Sequence, residues 1–320
     1  MAAAQCREPR LMILPMSSMS SMPLSAPLPA SSSAVVAERL AASLAARSGF
    51  DATAHLRLTV EGTQVGWLPR RHAALLREIG GVLGSERDGA VPLLPGVGTV
   101  AARSAALAGV AGRLREAGHV RGWRNELFGV TAALSAPAFA VIERAAARYF
   151  GLLTFASHMN GIVQGEPALW ISRRSASKAV DPGMWDNLVA GGMPHGSDPL
   201  ATLIRECDEE SGIAPELAAL AEPHGVIDVL REIPEGVQWE AVHVYDLLLP
   251  ADFVPHNRDG EVAEHRRIEP AALLAIMADG AMTLDATLVT LDTLRRRGWA
   301  PGARAAPRPA TAPLPPNKTQ

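Results

Sequence analysis

The segment DPLATLIRECDEESGI, from Asp198 to Ile213, restricts the fold of this chain more than any other stretch. Aspartate followed by proline is typical of a helix start, with Asp198 as the N-cap and Pro199 as the first helical residue. Ser211 followed by Gly212 is typical of a helix end, because glycine is preferred just after the last turn. The sequence therefore predicts one short helix with both ends defined. We expect four apolar side chains to form its buried stripe: Leu200, Leu203, Ile204 and Cys207.

Three glutamates lie on the other side of this predicted helix, at Glu206, Glu209 and Glu210. Like charges three and four residues apart repel each other, and the C-terminal end of a helix disfavours negative charge. A divalent cation would offset both costs, and Mg²⁺ or Mn²⁺ suits hard carboxylate oxygens. The alternative is a solvated acidic face that Arg205 partly neutralises. The spacing alone leaves both interpretations open.

The charge balance argues against a polyanionic partner. The 320 residues include 30 lysines and arginines against 33 aspartates and glutamates, so no strong field of one sign would attract nucleic acid or a membrane surface. No apolar run in the sequence is long enough to cross a bilayer. The two cysteines, Cys6 and Cys207, exclude a disulfide framework, which predicts a cytoplasmic protein. A small-molecule partner is therefore the default expectation.

The composition along the chain predicts two domains between two tails. Hydrophobic residues make up 48% of the sequence, enough to bury a core. We expect a small α/β domain over residues 37–148 and a strand-rich α+β domain over residues 149–300. Residues 1–36 and 301–320 are rich in proline with serine or alanine, so we expect both tails to be disordered. A transit peptide is the alternative for the first tail.

Local patterns predict several elements near the glutamate helix. A helix is expected to begin near Pro137, with Arg144 and Arg148 on one of its faces. A hairpin is expected to turn through Pro234–Gly236. The segment from Lys178 to Gly192 is expected to be a loop.

Seven residues at fixed separations resemble the signature of the Nudix hydrolase superfamily. They are Gly191, Arg205, Glu206, Glu209, Glu210, Gly212 and Ile213. The early glutamate of that signature is missing, because position 197 is Ser, and the position four residues on, where a displaced glutamate commonly lies, is Ala201. Over residues 37–300, further segments such as FGLLTFASHMNGIV and LWISRRSASK resemble one subgroup. These are the thiamine-diphosphate-related Nudix hydrolases, which carry a small domain before the Nudix domain and are sometimes fused to thiamine pyrophosphokinase.

The resemblance implies a Nudix α/β/α sandwich with a mixed sheet, preceded by a small α/β domain. It implies a pyrophosphohydrolase that cleaves a small-molecule diphosphate, with thiamine diphosphate or its damaged and oxy analogues as leading substrates. The metal, Mg²⁺ or Mn²⁺, would be held by Glu206, Glu209, Glu210 and the backbone near Gly191. Arg205 would orient a carboxylate through a bidentate pair.

Three later acidic residues and two further sets of side chains are candidates for catalysis and substrate binding. The proton acceptor would be a helix glutamate, Glu261 or Glu264, with Asp259 a weaker choice. The diphosphate would be received by Arg173, Arg174 and Lys178, although an exposed basic corner is the alternative. The heterocycle would meet His158, Asn160, Trp185 and Asn187. For these, a structural histidine and an anchored loop are the alternatives.

Two other functions stay open at this point. A Nudix hydrolase of ADP-ribose or dinucleotides would share the glutamate helix but differ in its base pocket. A non-catalytic domain that senses a diphosphate is favoured by Ser197 and Ala201 and disfavoured by the intact glutamates. The sequence does not indicate the oligomeric state or the role of residues 37–145.

Overall fold

A computed structural model describes residues 30–300. Positions 1–29 and 301–320 lie outside the described residues, so the expected disorder there stays a prediction. The first helix, α1 (Ala30–Arg47), begins inside the predicted tail of residues 1–36. Leu40 of α1 packs in the same core as Leu273 and Met277. Helix α1 therefore packs on the second domain, although the predicted boundaries placed its residues from 37 onward in the first.

The first domain is built on a small sheet. Strand β1 (His55–Val60) pairs antiparallel with β2 (Thr63–Pro69) and parallel with β3 (Ala90–Pro92). Helices α2 (Arg70–Ile79) and α3 (Val100–Glu116) contribute side chains to the same core. The sequence reasoning missed α3, because its alanine- and glycine-rich segment shows little apolar periodicity.

A second hairpin leads to the helix that ends this domain. Strand β4 (Leu127–Val130) pairs antiparallel with β5 (Ala140–Glu143), and helix α4 (Arg144–Phe150) follows directly. The prediction of a helix beginning near Pro137 was wrong. Residues 140–143 are held in the ladder with β4, and the helix begins only where the Glu143 side chain accepts a hydrogen bond from the backbone N–H of Ala145.

A seven-stranded mixed sheet forms the second domain. Its strands are β6 (Leu153–Val163), β7 (Leu169–Arg174), β8 (Trp185–Asn187), β9 (Val189–Gly192), β10 (Glu222–Ile233), β11 (Gly236–Leu249) and β12 (Val262–Ile268). The order is β10-β11-β6-β7-β12, with β8 on β7 and β9 on β6. The β6–β11 pair is parallel and the others are antiparallel. The predicted hairpin through Pro234–Gly236 is confirmed as the β10–β11 turn.

Helices cover both faces of this sheet. They are α5 (Pro199–Ser211), α6 (Pro215–Ala218), α7 (Pro270–Ala278) and α8 (Leu284–Arg296). Leu203 of α5 packs with Met159 on one face, whereas Val289 of α8 packs with Ala156 on the other. The predicted α/β/α sandwich is confirmed. No helix within residues 30–300 is long and apolar enough to span a membrane.

The segment from Lys178 to Gly192 is only partly the predicted loop, because it contains strands β8 and β9. Ser172 pairs with Asp186 across β7 and β8, and Ser157 pairs with Gly191 across β6 and β9. These ladders fix the position of the glycine-containing strand that faces the glutamate helix.

The two domains touch through backbone atoms next to α4. The N–H of Trp67 donates a hydrogen bond to the carbonyl of Gly151 at 2.8 Å. Gly151 has φ +62°, and a Cβ there would lie 2.0 Å from the Trp67 carbonyl oxygen. Only glycine fits this junction. The junction holds α4 against the sheet of the second domain.

Candidate active site

The glutamate helix has the predicted ends. The Asp198 side chain accepts a hydrogen bond from the backbone N–H of Ala201 at 2.9 Å, and Gly212 ends the helix in the left-handed conformation with φ 62°. Leu203 and Cys207 are buried as predicted, but Leu200 is exposed. Ala201 has a methyl group where a displaced glutamate commonly lies, and no other residue in the first turn of the helix is acidic. The first turn therefore provides no carboxylate in place of the missing early glutamate.

The three glutamates differ in their surroundings. Glu206 and Glu210 are buried, at 7% and 4% exposure, whereas the Glu209 side chain is 40% exposed. Arg205 donates to the carboxylates of Glu206 at 2.6 Å and Glu209 at 2.8 Å. The helix therefore turns two carboxylates inward and leaves the third at its surface.

Strand β9 receives the two inward carboxylates. A Cβ at Gly191 would lie 2.2–2.3 Å from three side-chain atoms of Glu206, so any other residue would displace that glutamate. The backbone N–H of Ala190 donates to Glu210 Oε2 at 2.9 Å. The glycine of the signature thus allows the helix carboxylates to lie directly against the strand.

Burial makes these carboxylates costly to ionise. Burial raises the pKa of Glu210 to about 8, with the nearby charge of Glu206 adding to the effect and Lys178 opposing it. Burial also raises the pKa of Glu206, although Arg205 opposes the shift. A bound cation would favour the charged forms of both carboxylates.

The oxygen donors of this site fit a hard divalent cation that takes only a few of its ligands from the protein. Within residues 30–300 no three His, Cys, Asp or Glu side chains are gathered around one point. Mg²⁺ commonly binds through one or two carboxylates and completes its shell with water and substrate phosphates. Glu206 and Glu210 match that requirement, and Glu209 is adjacent but paired with Arg205.

The predicted phosphate cluster divides into two parts. Arg174 and Lys178 line a cavity of about 480 Å³ between the two domains, and Arg173 does not. Arg174 pairs with Asp186 at 2.9 Å. Arg173 is half-exposed and lies 3.8 Å from Glu264, as expected of the basic corner that was the alternative.

The later acidic candidates occupy a turn beside this cavity. Glu261 forms ion pairs with both Lys178 and Arg124, so two cations hold it at the edge of the cavity. Glu264 is exposed and bonded to Arg266 at 2.9 Å. The side chain of Asp259 accepts the N–H of Glu261 at 2.8 Å, which is a turn contact.

The predicted heterocycle contacts form a buried network instead. His158 Nδ1 lies 2.9 Å from Asn187 Oδ1, and the Asn187 side chain donates to Asn160 Oδ1 at 2.9 Å. Only His158 of the four reaches a recess near the cavity. Trp185 belongs to strand β8 and packs in the core with Met282. Asn160 and Asn187 are bonded to helix α8, and Trp185 packs against helix α7. These contacts hold the three side chains away from the cavity, as the anchoring alternative described.

The sequence reasoning missed the wall that the first domain contributes. Its cavity-lining residues include His72, His119, Arg121, Arg124, Phe128, Arg144, Arg148 and Tyr149. Only the predicted common face of Arg144 and Arg148 hinted at this wall. A smaller recess of about 70 Å³ shares Arg144, Arg148 and Ala190 with the cavity and extends to Gly191 and Asp285. The glutamate helix and the interdomain cavity therefore meet at Ala190.

Two family profiles match consecutive parts of this chain. A profile described as "Domain of unknown function (DUF4743)" matches residues 38–154, and a profile described as "NUDIX domain" matches residues 158–286. Two Arabidopsis thaliana proteins are similar over 75% of this chain and 67% of their own length. They are "Nudix hydrolase 20, chloroplastic" at 37% identity and "Nudix hydrolase 24, chloroplastic" at 39% identity.

A solved protein from Deinococcus radiodurans is also similar, with 22% identity over 52% of this chain and 96% of its own, and a TM-score of 0.40. The Nudix profile and the two Arabidopsis relatives identify a hydrolase of diphosphate bonds. The chain belongs to the Nudix hydrolase family, with an N-terminal domain preceding its Nudix domain. It is a pyrophosphohydrolase, and hydrolases of this family generally use divalent metal ions.

Proposed function

We propose that this Nudix hydrolase cleaves the diphosphate of a small heterocyclic compound, with thiamine diphosphate or its damaged and oxy analogues as the leading substrates. The observation that carries the proposal is at Ala190. This residue binds the carboxylate of Glu210 and also lines the cationic interdomain cavity. A diphosphate in that cavity would lie beside the helix carboxylates.

Glu206 and Glu210 would hold Mg²⁺ or Mn²⁺, with Glu209 as a further ligand once it leaves Arg205. When bound, the metal supplies charge neutralisation for phosphate oxygens and a lower pKa for water. Arg174 and Lys178 would position the phosphates at the cavity wall, and their fixed carboxylate partners keep both side chains in place. Glu261 is the proposed proton acceptor at the cavity edge, where its carboxylate lies next to Lys178 and Arg124.

The size and charge of the cavity support a compact substrate. Its volume is about 480 Å³, within the range of ordinary small-molecule sites. The stacked rings of His72 and Tyr149, with centroids 4.0 Å apart, belong to the cavity wall of the first domain. The thiamine assignment itself rests on the resemblance of the segments named above. A cytoplasmic location is also a proposal, and it is supported by the low cysteine content.

The deciding experiment compares kcat/KM for oxythiamine diphosphate, thiamine diphosphate, ADP-ribose and a deoxynucleoside triphosphate at one Mg²⁺ concentration. We expect the two thiamine compounds to be better substrates than ADP-ribose and the nucleotide. A tenfold or larger preference for ADP-ribose or the nucleotide would overturn the thiamine proposal. Binding of a diphosphate without turnover of any of the four would favour the sensor alternative.

A further inference from the structure

Helix α4 of the first domain points two arginines into the Nudix site. Arg144 and Arg148 are four residues apart, so they share a face, and both line the cavity and its recess. A Cβ at Gly192 would lie 3.1 Å from a terminal nitrogen of Arg144, which places this guanidinium beside the glycine strand. The first domain is thus part of the site wall rather than a separate module.

Most cations of this wall already have a carboxylate partner. Arg144 pairs with Glu126 at 2.7 Å, Arg174 with Asp186, and Lys178 with Glu261. Arg148 and Arg121 differ, because no carboxylate among residues 30–300 lies within ion-pair distance of either, and of these two only Arg148 also lines the recess. A guanidinium at a cavity wall without a protein partner is suited to a phosphate, which it can bind through two parallel hydrogen bonds.

The opposite side of the recess carries a buried acidic pair, Glu240 and Asp285. One amide group of Gln238 donates to both, at 2.9 Å to Glu240 and 2.7 Å to Asp285 Oδ2. The other oxygen of Glu240 accepts the Thr154 hydroxyl at 3.1 Å. Asp285 Oδ1 is enclosed and has no hydrogen-bond partner in the described part of the chain.

A buried acceptor that lacks a donor is costly, and such groups are normally satisfied in a protein or by its ligand. Asp285, whose Oδ1 has no partner, and Arg148, which has no carboxylate partner, line the same recess, so a ligand group that enters it comes close to both side chains. That space is too small for a whole heterocycle, at about 70 Å³, but it opens beside the larger cavity and can take one edge of a ring.

We propose that Arg148 and Asp285 recognise two neighbouring parts of the substrate: Arg148 binds a phosphate where the recess opens into the cavity, and Asp285 accepts a hydrogen bond from an N–H group at the edge of the heterocycle. This inference rests on the proposed function for the identity of the heterocycle but not for the phosphate contact. It gives the N-terminal domain a role, since Arg148 comes from its last helix. It also restricts the substrate class to diphosphates whose ring bears an amino or other N–H donor.

The phosphate half is tested by calorimetric binding of inorganic pyrophosphate with Mg²⁺. We expect Arg148→Ala to weaken pyrophosphate binding at least tenfold and Arg148→Lys to restore part of it, while Asp285→Asn and the surface control Arg115→Ala leave it unchanged. Equal binding by Arg148→Ala and wild type would overturn this half, as would a wild-type protein that binds no pyrophosphate. Because pyrophosphate has no ring, the result does not depend on the thiamine assignment.

The ring half is tested by binding of thiamine, which lacks phosphate, and by the kinetics of its diphosphate. We expect Asp285→Asn, which keeps the acceptor for Gln238, to weaken thiamine binding at least tenfold and to raise KM with kcat changed less than twofold. Arg148→Ala should bind thiamine like wild type. Unchanged thiamine binding in Asp285→Asn would overturn the ring half. A wild-type protein that binds pyrophosphate but no thiamine would instead refute the proposed substrate and leave the Arg148 assignment standing.

Discussion

The two walls of the interdomain cavity differ in how their charges are compensated. On the Nudix side, cations and carboxylates pair with each other: Arg205 with Glu206 and Glu209, and Arg174 with Asp186. On the side of the first domain, Arg148 has no carboxylate partner within the described residues. These Nudix cations are therefore held by carboxylates before any ligand binds, whereas Arg148 on the opposite wall is suited to an anion from outside the protein. Under the proposed function, the Nudix wall would hold the metal, and Arg148 of the first domain would add a phosphate contact.

The largest expected effect on activity tests the buried carboxylates of the Nudix wall. Glu210→Gln should lower kcat by about a hundredfold or more, the scale of losing one charge-stabilising group in a transition state. The control is Asp208→Asn on the same helix, because Asp208 is exposed and paired with Arg258 away from the carboxylates. Both variants should keep the circular dichroism spectrum of the wild type. Full activity of Glu210→Gln would remove this residue from the mechanism.

A change in the free energy of unfolding tests the junction at Gly151 that joins the two domains. Gly151→Ala should destabilise the protein by about 2–4 kcal/mol, because it combines a left-handed backbone with a backbone clash. Gly109→Ala is the matched control: its added methyl group meets nothing within 4 Å on helix α3, so it should be neutral or stabilising by up to about 1 kcal/mol. Thermal unfolding measures both. Equal melting temperatures for the two variants would contradict a tight domain junction.

A smaller effect, on pH dependence, separates the buried from the exposed glutamate. Burial raises the pKa of Glu210 from its ordinary value near 4.5 to about 8 in the folded chain. The folded state therefore holds this proton more tightly, and the stability it contributes is present below about pH 4.5 and is lost as the pH rises towards 8. In metal-free protein, the melting temperature of Glu210→Gln relative to wild type should increase between about pH 5 and 8.

Glu209→Gln is the control for that measurement, because it removes the same charge from a side chain that is 40% exposed rather than buried. Saturating Mg²⁺ should reverse the advantage of Glu210→Gln at pH 8, since the metal stabilises the ionised wild-type side chain. If the difference in melting temperature between Glu210→Gln and wild type did not change with pH, Glu210 would not be buried as a carboxylic acid.

The sequence predicted the glutamate helix of the Nudix wall much better than the residues proposed to recognise the substrate, and the reason is physical. The glutamate helix is local: its cap at Asp198, its glycine end at Gly212 and its carboxylate spacing all lie within one short segment. The residues proposed to recognise the substrate are not local, since Arg148 and Asp285 come from different domains and meet only through the fold. Trp185 was misassigned for a related reason, because pairing of β8 with β7 turned its ring into the core.

The central claim is that the substrate diphosphate lies between the glutamate helix and helix α4. A crystal structure with Mg²⁺ and a non-hydrolysable diphosphate analogue tests it most directly. The account predicts phosphate density in the interdomain cavity beside Ala190, within hydrogen-bond distance of Arg148, and a metal ion on Glu206 and Glu210. Density on the outer surface at Glu209, with the cavity and Arg148 unchanged, would contradict it.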